Sequence, residues 1–299
     1  MTSTLSHSPS DADPFDALRP RLFSVAYRML GTRADAEDVV QDAWLRWRQN
    51  TNRETVQSPE AWLVTVTTRL AIDRLRAVKA EREAYVGWWL PEPLVEADER
   101  TPEAAAELAS DLSMALLWVL ERLSVEERAA FLLRQVFDHD YAEIASLLGK
   151  TQAACRQMVH RASERVQQTR TRFDVPREAH RRVVEQFIRA AQSGERDAIA
   201  ALLAADVELV SDGGGKVPAV YKILRGAHRI ANLFWVTGRR LGETAYRQTL
   251  INGEPGLLRY VDGKLESAMA LATDGERIVG IYAVRNPDKL TRVPQSLGS

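Results

Sequence analysis

Apolar residues recur every three or four positions along most of the first 172 residues, and then the rhythm changes. Leu18, Leu22, Val25, Ala26, Met29 and Leu30 form one stripe. That spacing predicts a helix opening at Pro14, capped by Asp13 and stopped by Gly31. A second helix is predicted from about Ala34, with Ala36, Val39, Val40, Ala43, Trp44 and Trp47 on one side. After the polar stretch Gln49 to Ser58, Ser58-Pro59-Glu60 reads as a cap followed by a first-turn proline. The helix it opens runs to about Arg82.

Residues 85–111 break the pattern, because Pro91 and Pro93 forbid a continuous helix. This linker is aromatic at Tyr85–Pro93 and acidic at Glu96–Glu107. A plain spacer should be polar throughout, so the aromatic part calls for a partner surface. Helical spacing returns over 112–172. Leu112, Leu116, Val119, Leu120 and Leu123 make one stripe. Ser124 to Glu127 is a capping box ahead of Ala130, Phe131, Leu133 and Val136. Asp140 to Glu143 repeats that logic before a short helix with Ile144, Leu147 and Leu148, stopped by Gly149. Thr151 then caps a helix from Gln152 to about Arg172.

Beyond Pro176 the period shortens. One or two helices are predicted over 177–204. Strand-like runs follow at 207–211, 219–224, 245–251, 257–261, 265–272 and 277–284, interrupted by a helix over 227–238. Asp262-Gly263 and Thr273-Asp274-Gly275-Glu276 are hairpin-turn signals. The expected organisation is multidomain. A disordered tail (1–12) precedes an all-α domain (13–84), the linker (85–111) and a second all-α domain (112–173). An α+β domain with a largely antiparallel sheet (177–290) and a tail (291–299) complete it.

Composition narrows the function classes. At 299 residues, 45% hydrophobic and 27% charged, the chain is long enough for two or three cores. Its net charge of -1 carries no pointer to nucleic acid, so the local distribution of charge matters. The opening residues lack a basic and apolar leader, and no apolar run approaches about 20 residues, so neither a signal peptide nor a membrane partner is expected. The single cysteine, Cys155, excludes an internal disulfide and fits a cytoplasmic location. The histidines (His7, His139, His160, His180, His228) show no zinc spacing, so neither metal nor cofactor is expected.

Three segments carry candidate chemistry. Over 140–165 a short helix, a turn at Gly149-Lys150-Thr151 and a longer helix form a helix-turn-helix. Its second helix presents Gln152, Ala153, Arg156 and Gln157 first, with His160 and Arg161 a turn on. Lys150 to Arg172 holds six Lys or Arg against one acid, Glu164. Arg156 and Gln157 suit guanine and adenine edges. The same segment alone also reads as a helical hairpin with a solvated basic face. The helix over 59–82 sets Arg69, Arg74, Arg76, Lys79 and Arg82 beside Trp62 and its apolar row, which suits a nucleic-acid backbone or plain solvent. The stretch Asp35–Trp44 begins a helix with acids that suit either the helix dipole or a basic partner.

In this order the three resemble extracytoplasmic-function bacterial RNA polymerase sigma factors over residues 14–172. The motifs are Ala36-Glu37-Asp38-Val39-Val40-Gln41-Asp42, then Pro59-Glu60-Ala61-Trp62-Leu63 with Ala71-Ile72-Asp73-Arg74-Leu75-Arg76, then the helix-turn-helix. The resemblance implies a sigma factor that binds core RNA polymerase, at its beta-prime clamp and beta flap, and promoter DNA. Asp38, Gln41 and Asp42 would meet the clamp. Arg69, Asp73 and Arg76 would read the minus-ten element. Gln152, Arg156, Gln157, His160 and Arg161 would read the minus-thirty-five element.

Trp89-Leu90-Pro91-Glu92-Pro93, Asp212-Gly213-Gly214-Gly215-Lys216 and Asn286-Pro287-Asp288-Lys289-Leu290 extend the likeness to the SigJ-like subgroup, which has a fused C-terminal SnoaL-like domain, related to ketosteroid-isomerase-like cones. Membership implies that this domain regulates the sigma domains from within the chain, in place of an anti-sigma protein. The glycine run lacks the spacing of a phosphate-binding loop. The aromatic strip Trp88–Pro93 is expected to dock the third domain and set the separation of the helical domains; Trp88 and Trp89 as core plugs between those domains is the plainer alternative. SnoaL-like folds also include polyketide cyclases and isomerases. That alternative would use Asp212, His228 or Asp262 for proton transfer; a ligand sensor would line its cone with Phe234, Trp235 and Tyr246. Catalysis is not expected.

Overall fold

The computed structural model describes residues 14–95, 113–170 and 175–297. The expected N-terminal tail, the acidic part of the linker and Leu112 lie outside them. In the first domain, α1 (Pro14–Leu30), α2 (Arg33–Gln49) and α3 (Pro59–Glu83) pack through Leu22, Ala26, Leu30, Val39, Val40, Trp47, Leu63 and Ile72. Trp44, expected on that inner stripe, is 37% exposed with Arg48 over its ring. Ala36, Val39, Val40, Ala43 and Trp47 already fill the core-facing arc of α2, and Trp44 falls at its outer edge.

The second domain contains α4 (Met114–Glu121), α5 (Val125–Gln135), α6 (Tyr141–Leu148) and α7 (Gln152–Arg170). Local capping chemistry sets their ends. Both capping boxes are closed, Ser124 with Glu127 and Asp140 with Glu143. Gly149 ends α6 at φ 63, in the left-handed region that glycine enters without a Cβ clash. Thr151 accepts from the Ala154 N–H. Cys155, Met158, Val159 and Ala162 turn inward, so Cys155 is a small core residue.

The helical domains do not stand apart; one continuous core runs through both. Buried Arg128 ties them: its Nε donates to Leu120 O at 2.8 Å, its Nη1 to Met29 O at 2.7 Å, and its Nη2 pairs with Glu121 at 2.5 Å. Arg82 of α3 pairs with the same Glu121 at 2.8 Å, and Arg76 reaches Glu126 at 3.1 Å.

The third domain is α+β. Helices α8 (Arg177–Ser193), α9 (Arg196–Ala201) and α10 (Ala227–Arg240) pack on a six-stranded sheet. Its strands are β1 (Leu203–Asp212), β2 (Leu224–Arg225), β3 (Thr244–Ile251), β4 (Glu254–Val261), β5 (Lys264–Thr273) and β6 (Ile278–Val284), in the order β2-β1-β6-β5-β4-β3. Only β1 and β6 run parallel. The strand expected over 219–224 contracts to β2, two residues paired with Glu208 and Leu209. The segment before it leaves the Gly213–Lys216 turn as coil, and Pro218 has no N–H for a ladder.

Alternation gives this sheet two apolar faces. Leu257, Met269, Leu271 and Ile281 meet Val183, Phe187 and Phe234 of the domain's own helices. Leu258, Tyr260, Ala268, Ala270 and Tyr282 meet Leu90 of the linker and Met114 and Trp118 of α4. A sheet apolar on both sides needs a second covering layer, and here the rest of the chain supplies it. Residues expected as a free C-terminal tail also pack: Val293 is buried, and Gln295 O accepts from Leu265 N at 3.0 Å.

Replacing Arg128 by Met leaves Glu121 with Arg82 as its one remaining guanidinium and removes the Arg128 donor from the Met29 and Leu120 carbonyls. We expect a loss of about 3–5 kcal/mol in urea unfolding, as for other broken buried ion pairs. A loss below about 1 kcal/mol would show that Arg128 does not join the domains.

Candidate functional site

Three segments far apart in sequence converge on Asp212. It ends β1, is fully buried, and has every carboxylate contact inside the chain. Oδ1 accepts from the Tyr85 hydroxyl at 2.6 Å and from Gly214 N at 3.0 Å. Oδ2 accepts from Leu90 N at 2.9 Å and from Lys289 Nζ at 2.7 Å. Its backbone carbonyl takes the N–H groups of Arg285 and Asn286. Linker, glycine loop and C-terminal motif thus share one carboxylate.

The surrounding residues fit this node. Lys289 Nζ also donates to Leu90 O at 2.5 Å and lies 3.9 Å from the Trp89 ring centre, as does the Arg82 guanidinium. Burial lowers the Lys289 pKa to about 8, against the opposing pull of Asp212. Burial and then the Asp212 carboxylate raise that of Tyr85. Asn286 donates to the Tyr85 hydroxyl at 2.8 Å and accepts from Asp288 N at 3.1 Å. At Gly214, φ 61, a Cβ would stand 2.4 Å from Asn286 Nδ2, so only glycine permits this approach. Lys216 pairs with Asp288 at 2.5 Å across the two motifs.

The linker's other edge grips the first domain. Glu92 N donates to Gly31 O at 2.8 Å, and Glu92 Oε2 accepts from Arg33 N at 2.9 Å. The Tyr27 hydroxyl donates to Glu92 O and accepts from Asn252 Nδ2 at 2.9 Å. Asn252, at φ 54 in the β3–β4 turn, exchanges bonds with Leu94, and Val95 bridges Ile251 as an added strand residue. Trp89 packs against Gly31, where a Cβ would meet its ring at 2.7 Å, while Trp88 stacks edge-on with Trp118 at 5.5 Å. The strip Trp89–Pro93 therefore touches both the third domain and the first.

Tyr85, Asn252, Tyr27 and Trp118 were not singled out from the sequence. Asn252-Gly253 carried a recognisable signal, the hairpin dipeptide that favours positive φ. Leu290, the last residue of the C-terminal motif, is buried beneath the same layer, and Arg292 just after it pairs with Glu37 of α2 at 3.2 Å.

Asp38, Gln41 and Asp42 are exposed on α2 beside Trp44 and Leu45. Arg69, Asp73 and Arg76 form an exposed row on α3, but Arg76 is engaged by Glu126 of the second domain. Gln152, Arg156, Gln157, His160 and Arg161 face outward from α7. Arg156 lies 5.2 Å from the Tyr141 ring and within 3.3 Å of Gln152, while Arg161 reaches Glu127 at 3.3 Å.

The three residues considered for proton transfer do not meet. Asp212 is committed to the linker. His228 is exposed in the first turn of α10. Asp262 accepts from Glu243 N at 3.0 Å at the β4–β5 turn. Phe234 is a core residue set edge-to-face against Phe187, and Trp235 lies under Arg239. Among the described residues, no helix is long and apolar enough to cross a membrane.

Two helical domains, the second ending in a helix-turn-helix, and an aromatic linker held by a fused α+β domain define a sigma factor. The family profile of Sigma-70 region 2 matches residues 15–81, and that of Sigma-70, region 4 matches residues 113–166. The chain belongs to the extracytoplasmic-function RNA polymerase sigma factors. It is 38% identical over 296 residues to the ECF RNA polymerase sigma factor SigJ of Mycobacterium tuberculosis, covering 95% of this chain and 94% of that protein. It is 28% identical to the probable ECF RNA polymerase sigma factor SigI of the same species, covering 98% of each. The crystal structure of M. tuberculosis SigJ matches with a TM-score of 0.77 at 36% identity, covering 94% of this chain and 99% of that one. These relatives are sigma factors rather than enzymes, and the family directs promoter-specific initiation.

Asp212→Ala leaves a buried ammonium and three donors without their acceptor. Unfolding stability should fall by about 3–5 kcal/mol. Asp212→Ala/Lys289→Met should be no less stable than Asp212→Ala alone, since the orphaned charge is gone; additive losses would contradict the pairing.

Lys289 also predicts a pH signature. Its pKa is about 8 in the folded chain against 10.5 as the ordinary value, so between these the unfolded chain holds a proton that the folded chain has lost. This site then adds stability as pH rises across that window. The stability of the native chain minus that of Lys289→Met should increase from pH 8 to pH 10.5, and a flat or falling difference would refute the assignment.

Proposed function

We propose that this sigma factor is held in a closed form by its own C-terminal domain, acting through the linker, and opens to bind core polymerase and promoter. The observation that carries the reading is the contact between the helical domains. Arg76, a minus-ten candidate, is bound by Glu126 of the domain that would read the minus-thirty-five element. The two elements lie about 25 base pairs apart, about 85 Å of duplex at about 3.4 Å per base pair. Domains sharing one core do not span that length, so promoter binding requires their separation.

Residue roles follow from this frame. Asp38, Gln41 and Asp42 stay exposed and meet the polymerase clamp at once. Arg69, Asp73 and Arg76 read the minus-ten element after Arg76 leaves Glu126. Gln152, Arg156, Gln157, His160 and Arg161 read the minus-thirty-five element, with Arg161 exchanging Glu127 for DNA. The domains run over 13–84, 112–173 and 177–290, and the third takes the place of an anti-sigma protein in the cytoplasm. Loosening the Asp212 node raises the fraction of open chains and with it the apparent affinity for polymerase.

Run-off transcription with core polymerase tests this. Arg156→Ala should cost about 1–3 kcal/mol of promoter discrimination. Asp212→Asn should raise output at limiting sigma factor without changing the start site. Unchanged output with Asp212→Asn across a full titration would overturn regulation through the linker.

A further inference from the structure

The outer helix of the C-terminal domain carries positive charge that the linker node does not use. Helix α10 packs on its own domain through Ile230, Ala231 and Phe234, on the sheet face turned away from the linker and α4. Its 14 residues include no acid, although the whole chain has 41 acids to 40 Lys and Arg. Arg229, Asn232, Arg239 and Arg240 fall on the arc opposite Phe234 and are exposed. Arg239 lies over the Trp235 ring at 4.6 Å.

An open cleft beside the start of α10 gathers further cations. Arg225 of β2, His228, Arg229 and Arg277 line a space of about 460 Å³, and its other lining residues, Leu203, Ala205, Gly226 and Ala227, are uncharged. Arg225 is paired with Glu208 at 2.8 Å. The side chains of Arg229, Arg240 and Arg277 have no hydrogen bond or ion pair among the described residues. Cations in the last turn of a helix suit its dipole, which accounts for Arg239 and Arg240. Arg225, Arg229 and Arg277 crowd the opposite end, where the dipole disfavours them, so helix stability does not account for those three.

The row suits the backbone of duplex DNA, the polyanion that a sigma factor already meets. From Arg229 to Arg240 the helix rises about 17 Å at about 1.5 Å per residue, the axial length of about five base pairs. Exposed guanidinium groups pair with phosphates at any sequence, so such a contact positions the protein and reads no bases. The tether sets where it falls. Four residues join Arg170 of α7 to Val175, a span of at most about 18 Å at about 3.6 Å per residue. A third domain held so close to the minus-thirty-five reader lies beside the duplex once the linker releases it. Chain order runs from the minus-ten reader to the minus-thirty-five reader, and the third domain continues it upstream. We propose that, with α7 reading the minus-thirty-five element as above, α10 and Arg277 form a further DNA contact that grips phosphates of the duplex just upstream of that element, irrespective of sequence.

The test uses the full chain with core polymerase and two promoter fragments. One ends at the upstream edge of the minus-thirty-five element, and the other carries about 20 base pairs more, two turns of duplex. Affinity is read over a salt series for the native chain and for Arg229→Gln/Arg240→Gln/Arg277→Gln, whose three side chains have no partner to lose. The native chain should prefer the longer fragment about tenfold more than the triple variant does, and the variant's salt slope on that fragment should be smaller by about three. Contacts made by core polymerase itself are common to both chains and cancel. Arg229→Lys/Arg240→Lys/Arg277→Lys keeps the charges and should keep the preference. The proposal is overturned if the glutamine variant retains the native preference, or if the lysine variant loses it as well. Equal weakening on both fragments would place the face on polymerase and overturn it too. Promoter-specific transcripts from the shorter fragment read the sigma assignment separately. Their absence with the native chain refutes that assignment and this contact with it, whereas their presence without an upstream preference refutes this contact alone.

Discussion

The closed arrangement rests on a carboxylate without access to water. Asp212 is fully buried and accepts from Tyr85, Leu90, Gly214 and Lys289, so satisfying it requires the linker, the glycine loop and the C-terminal motif together. Burying an ammonium beside it is unfavourable enough to lower the Lys289 pKa to about 8 even with Asp212 in contact. Such a pair adds little net stability compared with apolar packing. What it adds is geometry: a carboxylate with four donors in place tolerates no slip of any contributor. Apolar burial of Leu90, Met114 and Trp118 on the sheet supplies the bulk of the attraction, and the polar node selects one register for it.

From that node the constraint spreads outward. The linker residue Leu90 bonds to Asp212, and two residues on Glu92 bonds to Gly31 and Arg33 of the first domain. Asn252 of the third domain joins Leu94 and Tyr27 in one run of hydrogen bonds. Trp88 packs on Trp118 at the start of the second domain. Each domain is therefore positioned against a linker of about ten residues, while the helical domains also meet directly through their shared core, Arg128 and the Arg76–Glu126 pair. The exposed ion pairs across the helical domains are weak individually, whereas the Arg128–Glu121–Arg82 group is buried. Opening needs that group to be exchanged for partners outside the chain.

Much of the helical part was legible because its signals are local. Ser124 with Glu127, Asp140 with Glu143, Thr151 and Gly149 mark ends that depend on three or four neighbouring residues. Trp44 was misplaced because a helical stripe has no sharp edge in sequence. The strand over 219–224 was overread because β-type composition does not reveal whether a neighbouring strand is there to pair with. The aromatic linker was a clear anomaly that called for a partner surface; the grip on Gly31 and Tyr27 was not visible. The three motifs around Asp212 were known from resemblance alone, since pairings across 77 to 127 residues leave no periodicity.

The central claim is that the helical domains are held together in the free chain and separate on polymerase. Spin labels at Gln49→Cys on α2 and Glu164→Cys on α7, with buried Cys155 left unlabelled, would report their distance by double electron–electron resonance. The account predicts one narrow, short distance in the free chain, replaced on core polymerase and promoter by one longer by tens of ångströms. A long or broad distribution in the free chain, or the short distance persisting in the initiating complex, would contradict it.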